Sequence, residues 1–462
     1  MFGTTIPIMS KPSLARGTRD FGPEIMAKRN YILDTIKSVF KKFGFLQLET
    51  PAVENLSVLM GKYGEEGDKL LFKILNSGDY LKNVNQKDFD DGASAMLNKV
   101  AEKGLRYDLT VPFARFVAMN RHALAMPFKR FQVQPVWRAD RPQRGRYREF
   151  FQCDADVVGT DSLLCEAEII LMLNEVFKKL KLDNFSVKVN NRKILTGITE
   201  VIDAVGKEAE LCVAIDKLDK IGKAKVEDEL KERGFSESSM QSLQTLFTLS
   251  DNNGTALAEL KSWLKESEIG LKGISELEEV LSLVDGFGLK EHNVSLDFTL
   301  ARGLSYYTGA IFEVKAGGVS IGSISGGGRY DDLTSTFGMP NLSGVGISFG
   351  VDRIYDVLDE LELFPADTTE STKVLLTNFD VESQKACLPI LAKLRAFDIA
   401  AELYPSNDKM KKQFDYANKK GIVYVLLVGS EEIKSKKYSL KDMASGEQES
   451  FTLEQLIEKL HV

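Results

Sequence analysis

The sequence predicts an α+β chain: an antiparallel sheet flanked by helices, a helical insertion, and a smaller C-terminal α/β domain. Three observations predict it. Apolar and polar residues alternate with period two on both sides of a loop near residues 138–150, a Lys/Glu-rich helical pattern occupies about 195–290, and strand patterns resume at Val294. The insertion therefore interrupts one sheet domain rather than ending it, which places that domain at residues 1–194 and 291–365. The polar, turn-prone stretch Leu363-Phe-Pro-Ala-Asp-Thr-Thr-Glu-Ser-Thr372 reads as a linker to a final domain at 372–462.

Taken in order, residues from about 24 to 43 carry Ile25, Ile32, Ile36, Val39, Phe40 and Phe43 at helical spacing, and Gly44 ends the run. Phe45-Leu-Gln-Leu-Glu-Thr-Pro51 then alternates like a strand whose closing proline cannot donate to a ladder, so it stops there or lies on an edge. A long helix leading into an edge strand is a common place for dimer contacts. From Phe128 to Arg138, Phe131, Val133 and Trp137 share one face, with Arg130, Gln132, Gln134 and Arg138 on the other. After the loop, Phe151, Cys153, Ala155 and Val157 point one way and Gln152, Asp154 and Asp156 the other, which makes the pair a hairpin with donors and acceptors on one floor, the alternative being an ordinary hairpin with one wet face. In the insertion, Leu277, Val280, Leu281 and Val284 follow i, i+3, i+4, i+7. Beyond the linker, short apolar runs at Lys373–Thr377 and Ile422–Val428 flank a helical stretch, the pattern of a largely parallel sheet.

The chain has 462 residues, 43% hydrophobic and 27% charged, with a net charge of −7. That is enough material for two or three cored domains, and the acidic balance argues against blanket coating of nucleic acid. The opening Met1-Phe-Gly-Thr-Thr-Ile-Pro-Ile-Met-Ser10 has no basic start or apolar run of signal-peptide length, and no segment approaches a membrane span. The expectation is a cytoplasmic protein without a membrane partner. Cys153, Cys165, Cys212 and Cys387 form no Cys-x-x-Cys pair, and His122, His292 and His461 are scattered, so no metal site or disulfide framework is expected.

Against that background Arg138, Arg141, Arg144, Arg146 and Arg148 fall within eleven residues, although the chain has 18 arginines against 42 lysines. Guanidinium groups bind phosphate and carboxylate bidentately, so the cluster points to a polyphosphate or nucleic-acid contact, the alternative being a solvated basic hairpin tip. In Ser343-Gly-Val-Gly-Ile-Ser-Phe-Gly-Val-Asp-Arg353, Gly344, Gly346, Ser348 and Gly350 share one strand face. A face without side chains means that something flat or bulky lies against it: a purine ring with Arg353 stacked above, or a closely packed neighbouring element. Ser323-Ile-Ser-Gly-Gly-Gly-Arg-Tyr-Asp-Asp332 fits neither phosphate-loop fingerprint, and reads as close ligand approach or an ordinary glycine turn. Leu300-Ala-Arg-Gly-Leu-Ser-Tyr-Tyr-Thr-Gly309 offers an arginine and two phenols suited to a polar pocket.

These segments, in this order, resemble the three signature motifs of the class II aminoacyl-tRNA synthetases, and within them the histidyl-tRNA synthetase family. Leu14-Ala-Arg-Gly-Thr-Arg-Asp-Phe-Gly-Pro23 resembles that family's N-terminal signature, Lys42–Pro51 the dimer element, Trp137–Asp156 the second motif and Gly344–Arg353 the third. Arg302–Gly309 and Gly327-Gly-Arg-Tyr-Asp331 are similar to segments specific to the histidine family, and residues 372–462 resemble its anticodon-binding domain. Two positions depart from the usual pattern. Ser305 stands where the family carries Asp, and Asp108-Leu109 stands where bacterial members carry Glu-Gly.

The resemblance implies a histidine–tRNA ligase acting as a homodimer, with L-histidine, ATP and tRNA(His) as partners and Mg²⁺ on the β- and γ-phosphates. Arg138 and Arg302 are its catalytic cations. Asp108, Leu109, Thr110, Arg138, Gln152, Asp156, Arg302, Tyr306 and Tyr307 form the histidine pocket, and Arg138, Arg146, Phe150 and Arg353 hold ATP. Arg141 and Arg144 turn to the tRNA acceptor end, and the basic run Lys409-Met-Lys-Lys412 is a further candidate for RNA phosphates. The metal has no protein-only cage. Asp156 with Tyr307 suits a neutral imidazole, which has one donor and one acceptor nitrogen. The alternatives are a catalytically silent, synthetase-like regulatory or tRNA-sensing protein and a class II synthetase for proline, threonine or glycine. The first is opposed by Arg138, Arg302 and Arg353 together with the C-terminal domain, the second by Arg302–Gly309 and Asp156.

Overall fold

The computed structural model describes residues 11–62, 64–143, 145–289, 293–302, 307–331, 335–369 and 372–461. It divides into two compact units, with the boundary between Phe364 and Pro365. The larger unit is built on an eight-stranded sheet. Its order is Leu46–Gln47, Phe128–Trp137, Glu149–Val158, Gly344–Gly350, Ser325–Tyr330, Ala310–Ala316, Phe185–Asn191 and Val294–Leu296. The five inner pairings are antiparallel and the two outermost are parallel. The α+β reading is borne out, and the Phe45–Pro51 segment does contribute an edge strand.

The long helix Pro23–Lys42 starts with proline at its first position, where the missing N–H costs nothing, and carries Glu24 in its first turn and Lys41 and Lys42 in its last, matching the helix dipole. Its Ile32, Ile36, Val39 and Phe40 are buried, whereas Ile25 is exposed because the apolar stripe has not yet met the sheet at that first turn. Phe40 packs on Phe131 and Phe349, centroids 5.5 and 5.8 Å away, so the helix lies on the apolar faces of the hairpin and of the glycine-rich strand. Helix Leu164–Lys179 covers the same layer through Phe177, 5.7 Å from Phe349. With one face of the sheet roofed by helices, the other is left to build a site.

Seven helices between Arg192 and Gly286 follow strand Phe185–Asn191, and the chain then returns beside that strand at Val294–Leu296. Leu277, Val280 and Val284 are buried as their spacing predicts. Gly197 lies against the backbone of Gly270 there, leaving no room for a side chain on Gly197.

The smaller unit has a five-stranded sheet in the order Ala401–Leu403, Val374–Leu376, Tyr424–Leu427, Tyr438–Asp442, Gln448–Phe451. Its first two pairings are parallel and its last two antiparallel, so the sheet is mixed rather than largely parallel. The last two strands alternate weakly and their outer face is polar, which is why they left little trace in the sequence. Lys412 pairs with Asp408 at 2.8 Å, one turn away on the helix Met410–Lys420.

Candidate active site

The polar face of the hairpin is buried away from its loop, while Gln134, Arg138 and Gln152 nearer the loop are half-buried. Arg130 and Gln132 are fully buried, and Asp154 and Asp156 are 3% exposed. In the register Arg130 sits opposite Asp156 and Gln132 opposite Asp154, and on the other flank Asp156 and Asp154 sit opposite Gly346 and Ser348. Four polar side chains in two strands therefore face one another under cover of neighbouring elements. Arg130 Nη2 lies 2.8 Å from Asp156 Oδ2, and its guanidinium stacks 4.1 Å over the Phe113 ring. Asp156 Oδ1 accepts a 2.7 Å hydrogen bond from the Tyr330 hydroxyl. Oδ1 of Asp156 is thus hydrogen-bonded, whereas its Oδ2 meets Arg130 as an ion pair without hydrogen-bond geometry among the described residues. Gln152 donates through Nε2 to Ser348 Oγ at 3.1 Å, and among the described residues nothing donates to its buried Oε1.

The glycine face is filled from within the protein at two of its positions. A Cβ on Gly344 would strike the Tyr330 ring, and one on Gly346 would strike Asp156, which leaves Gly350 as the open position. Close packing, not a purine, accounts for Gly344 and Gly346. Residues 325–330 form a strand rather than a turn, and Gly328 lets the Tyr307 ring lie against it, where a Cβ would come within 2.8 Å of Cδ1. Burial, then Asp156 and Asp154, push the Tyr307 hydroxyl well above its ordinary value, so it stays protonated and able to donate.

Arg138 donates through Nε to the Tyr107 carbonyl at 3.1 Å and stacks on Tyr107 and Phe150, 4.2 and 5.2 Å from the ring centroids. Asp108 accepts from the Val111 N–H at 3.1 Å, capping helix Thr110–Asn120, at whose start Thr110 lies; Leu109 is fully buried. Arg302 pairs through Nε with Glu313, which is 4% exposed. Arg353, third residue of helix Val351–Glu360, donates to Gly145 O (3.2 Å) and Ser323 O (2.7 Å). Burial, then the charges of Arg302, Arg146 and Arg138, push its guanidinium below its ordinary value. Arg141 and Arg146 are exposed in the hairpin loop. Arg148 does not share their setting. Its backbone N–H donates to Gly17 O at 2.9 Å and its Nε to Asp140 O at 3.1 Å, so it ties the loop to itself and to the N-terminal segment. Arg144, Ser305 and Tyr306 lie outside the described residues.

The arrangement is polarised. Arg138, Arg146 and Arg302, from two distant stretches of sequence, all act on Arg353 in a third, while Asp108, Asp154 and Asp156 act together on Tyr307. Such a site suits a zwitterion beside a polyanion. Sequence reading assigned no role to Arg130, Asp154, Glu313 or Tyr330. The alternation of 130/132 against 152/154/156 was the available signal for the first two, and for Glu313 there was none.

Asp154 is the costly member. Burial pushes its carboxyl up to about 7, with Asp156 and Asp108 adding to the rise and Arg130 and Ser348 opposing it. A carboxyl raised in the folded state takes up a proton on folding between its ordinary range and about 7, so its contribution to stability falls as pH rises through that window. Asp154→Asn should gain a few degrees of melting temperature over the parent at pH 8 and little at pH 5; equal differences at both values would remove the role.

A histidyl-tRNA synthetase profile matches residues 96–354, and an anticodon binding domain profile matches 373–462. The chain is 57% identical over 452 residues to the histidine–tRNA ligase of Cytophaga hutchinsonii, covering 98% of this chain and 100% of that one. It is 55% identical over 449 residues to the corresponding ligase of Phocaeicola vulgatus, covering 97% and 98%. The crystal structure of a histidyl-tRNA synthetase from Nostoc sp. PCC 7120 superposes with a TM-score of 0.84 at 32% identity, covering 98% of this chain and 99% of that one. By its profile, its near-full-length relatives and its fold, this chain belongs to the histidyl-tRNA synthetase family.

Proposed function

We propose that the chain is a histidine–tRNA ligase whose polarised cavity divides the work between its arginines and its carboxylates. The half-buried Arg353, held by Gly145 O and Ser323 O with Arg138, Arg146 and Arg302 acting on it, carries this reading, because such a convergence of guanidinium groups suits a polyanion. The histidine carboxylate attacks the α-phosphorus of ATP in line. A carboxylate–phosphorus bond forms, the bond from that phosphorus to the β-bridging oxygen breaks, and pyrophosphate leaves. The 3′-hydroxyl of tRNA(His) then attacks the activated carbonyl, and AMP leaves. Because the first nucleophile is already an anion, the site supplies charge stabilisation and alignment rather than a general base.

In this reading Arg138 and Arg302 meet the α-phosphate, Arg138 also meets the histidine carboxylate, and Arg146 meets the polyphosphate. Adenine lies between Phe150 and Arg353. The histidine ammonium is received by Asp108, Thr110 and the unfilled Gln152 Oε1. Asp156 and Tyr307 take the imidazole, with Leu109 and Tyr306 completing the pocket. Arg141 and Arg144 face the acceptor end of the tRNA, and the C-terminal unit binds its anticodon. Mg²⁺ bound to the nucleotide would supply charge neutralisation of its polyphosphate, with no protein-only cage assigned to it. The exposed Leu46, Val53 and Met119 support a homodimer formed around the edge strand. No described helix is long and apolar enough to cross a membrane.

The adenine assignment is tested by Arg353→Ala and Phe150→Ala. Each should raise the KM for ATP in pyrophosphate exchange about tenfold, the value of one stacking contact, with a smaller change in the KM for histidine. A change confined to histidine would reverse the assignment.

A further inference from the structure

The segment Arg16–Phe21 touches both walls of the nucleotide site without belonging to either. Gly17, at φ +86°, accepts the Arg148 N–H at 2.9 Å, and a Cβ there would come within 2.8 Å of Arg148 Cγ and 2.9 Å of Pro142 Cγ. Only glycine allows so close an approach with that backbone. Two residues on, the Arg19 guanidinium lies 3.2 Å from the centroid of the Tyr147 ring, on the returning arm of the hairpin, and its Nη2 donates to Asp352 Oδ1 at 2.6 Å. Asp352 stands in the first turn of helix Val351–Glu360, next to Arg353, and also accepts from Arg29 Nη1 at 2.5 Å. Tyr147, for its part, is next to Arg146.

We propose that Arg19 is a positioning residue for ATP. It clamps the hairpin arm carrying Arg146 to the helix start carrying Arg353, so that the polyphosphate and adenine contacts keep a fixed separation. The chemistry of the clamp favours arginine. A planar guanidinium stacks on a phenol ring and at the same time donates in its own plane to a carboxylate, which a lysine cannot do. Arg353 is bonded to Gly145 O across the same gap, and that contact must yield when adenine enters. Arg19 bonds to neither the nucleotide's Arg353 nor Arg146, so its clamp persists while theirs rearranges. The inference rests on the placement of ATP given above.

The test is ATP–pyrophosphate exchange by the full-length enzyme at varied ATP and varied histidine, with melting temperatures measured alongside. Arg19→Ala should raise the KM for ATP about tenfold, the value of a well-formed cation–π contact, while the KM for histidine stays within about twofold. Tyr147→Leu should match it, Tyr147→Phe should behave as the parent, and the double variant Arg19→Ala/Tyr147→Leu should be no worse than either single, since both remove one shared contact. Arg19→Lys, which keeps the charge on Asp352 but loses the stacked plane, should recover only part of the loss. An unchanged KM for ATP in Arg19→Ala, an additive double variant, or equal rises in both KM values would overturn the positioning role. Arg353→Ala separates the two levels. If it raises the KM for ATP and Arg19→Ala does not, the clamp alone fails; if Arg353→Ala has no effect on ATP, the placement of the nucleotide fails first and the clamp with it.

Discussion

Replacing Arg302 with alanine lowers the rate of histidyl-adenylate formation about 10²- to 10³-fold, the usual consequence of removing one preorganised donor from a developing anion. The structure explains why the effect falls on the chemical step. Arg302 is ion-paired with the buried Glu313, on the neighbouring strand Ala310–Ala316, so its position is set before substrate arrives. Its side chain remains 43% exposed and lies close enough to Arg353 to perturb it. On the placement of ATP proposed above, this cation is held in advance at the α-phosphate and would stabilise the charge that builds there as pyrophosphate departs. Pyrophosphate exchange by Arg302→Ala at close to the parental rate would eliminate that role.

The second large effect concerns Asp156. Its carboxylate ion-pairs with Arg130, which is fully buried, so Asp156→Ala leaves that guanidinium with only the Asp154 carboxyl acting on it and should cost up to about 3–5 kcal/mol of stability in denaturant unfolding. Loss of activity in that variant would say little about recognition. Replacing both partners with apolar residues, as Arg130→Met with Asp156→Leu, removes the stranded charge and should restore most of the stability. Histidine activation should nevertheless remain at least about 10²-fold below the parent, because a site built on a buried polar partner discriminates through it. A double variant as unstable as Asp156→Ala would contradict the pairing, and a double variant that activates histidine normally would contradict the role of Asp156 at the imidazole.

Much of this site was legible in the sequence because strand periodicity reports which side chains share a face. The alternation on either side of the arginine-rich loop located the hairpin and put Gln152, Asp154 and Asp156 on one floor. Periodicity does not report what lies against that face. Arg130 and Gln132 are fully buried, because Phe113 covers the first and Thr50 meets the second, neither of which the strand period announces. For the same reason the bare face at Gly344 and Gly346 suggested a ligand, although Tyr330 and Asp156 fill it. Contacts between distant stretches were out of reach altogether. Nothing near Arg19 indicates that its carboxylate is Asp352, 333 residues away, or that the Arg148 N–H is spoken for by Gly17. The helical stretch around 277–284 was read correctly because its own period carries the signal, whereas the antiparallel half of the C-terminal sheet has little apolar alternation to read.

The central claim is that this cavity activates histidine and no other amino acid. ATP–pyrophosphate exchange, with each of the twenty amino acids supplied separately, tests it most directly. The account predicts exchange with histidine alone; exchange with a different amino acid would contradict the specificity, and no exchange with any of them would identify the chain as a silent relative.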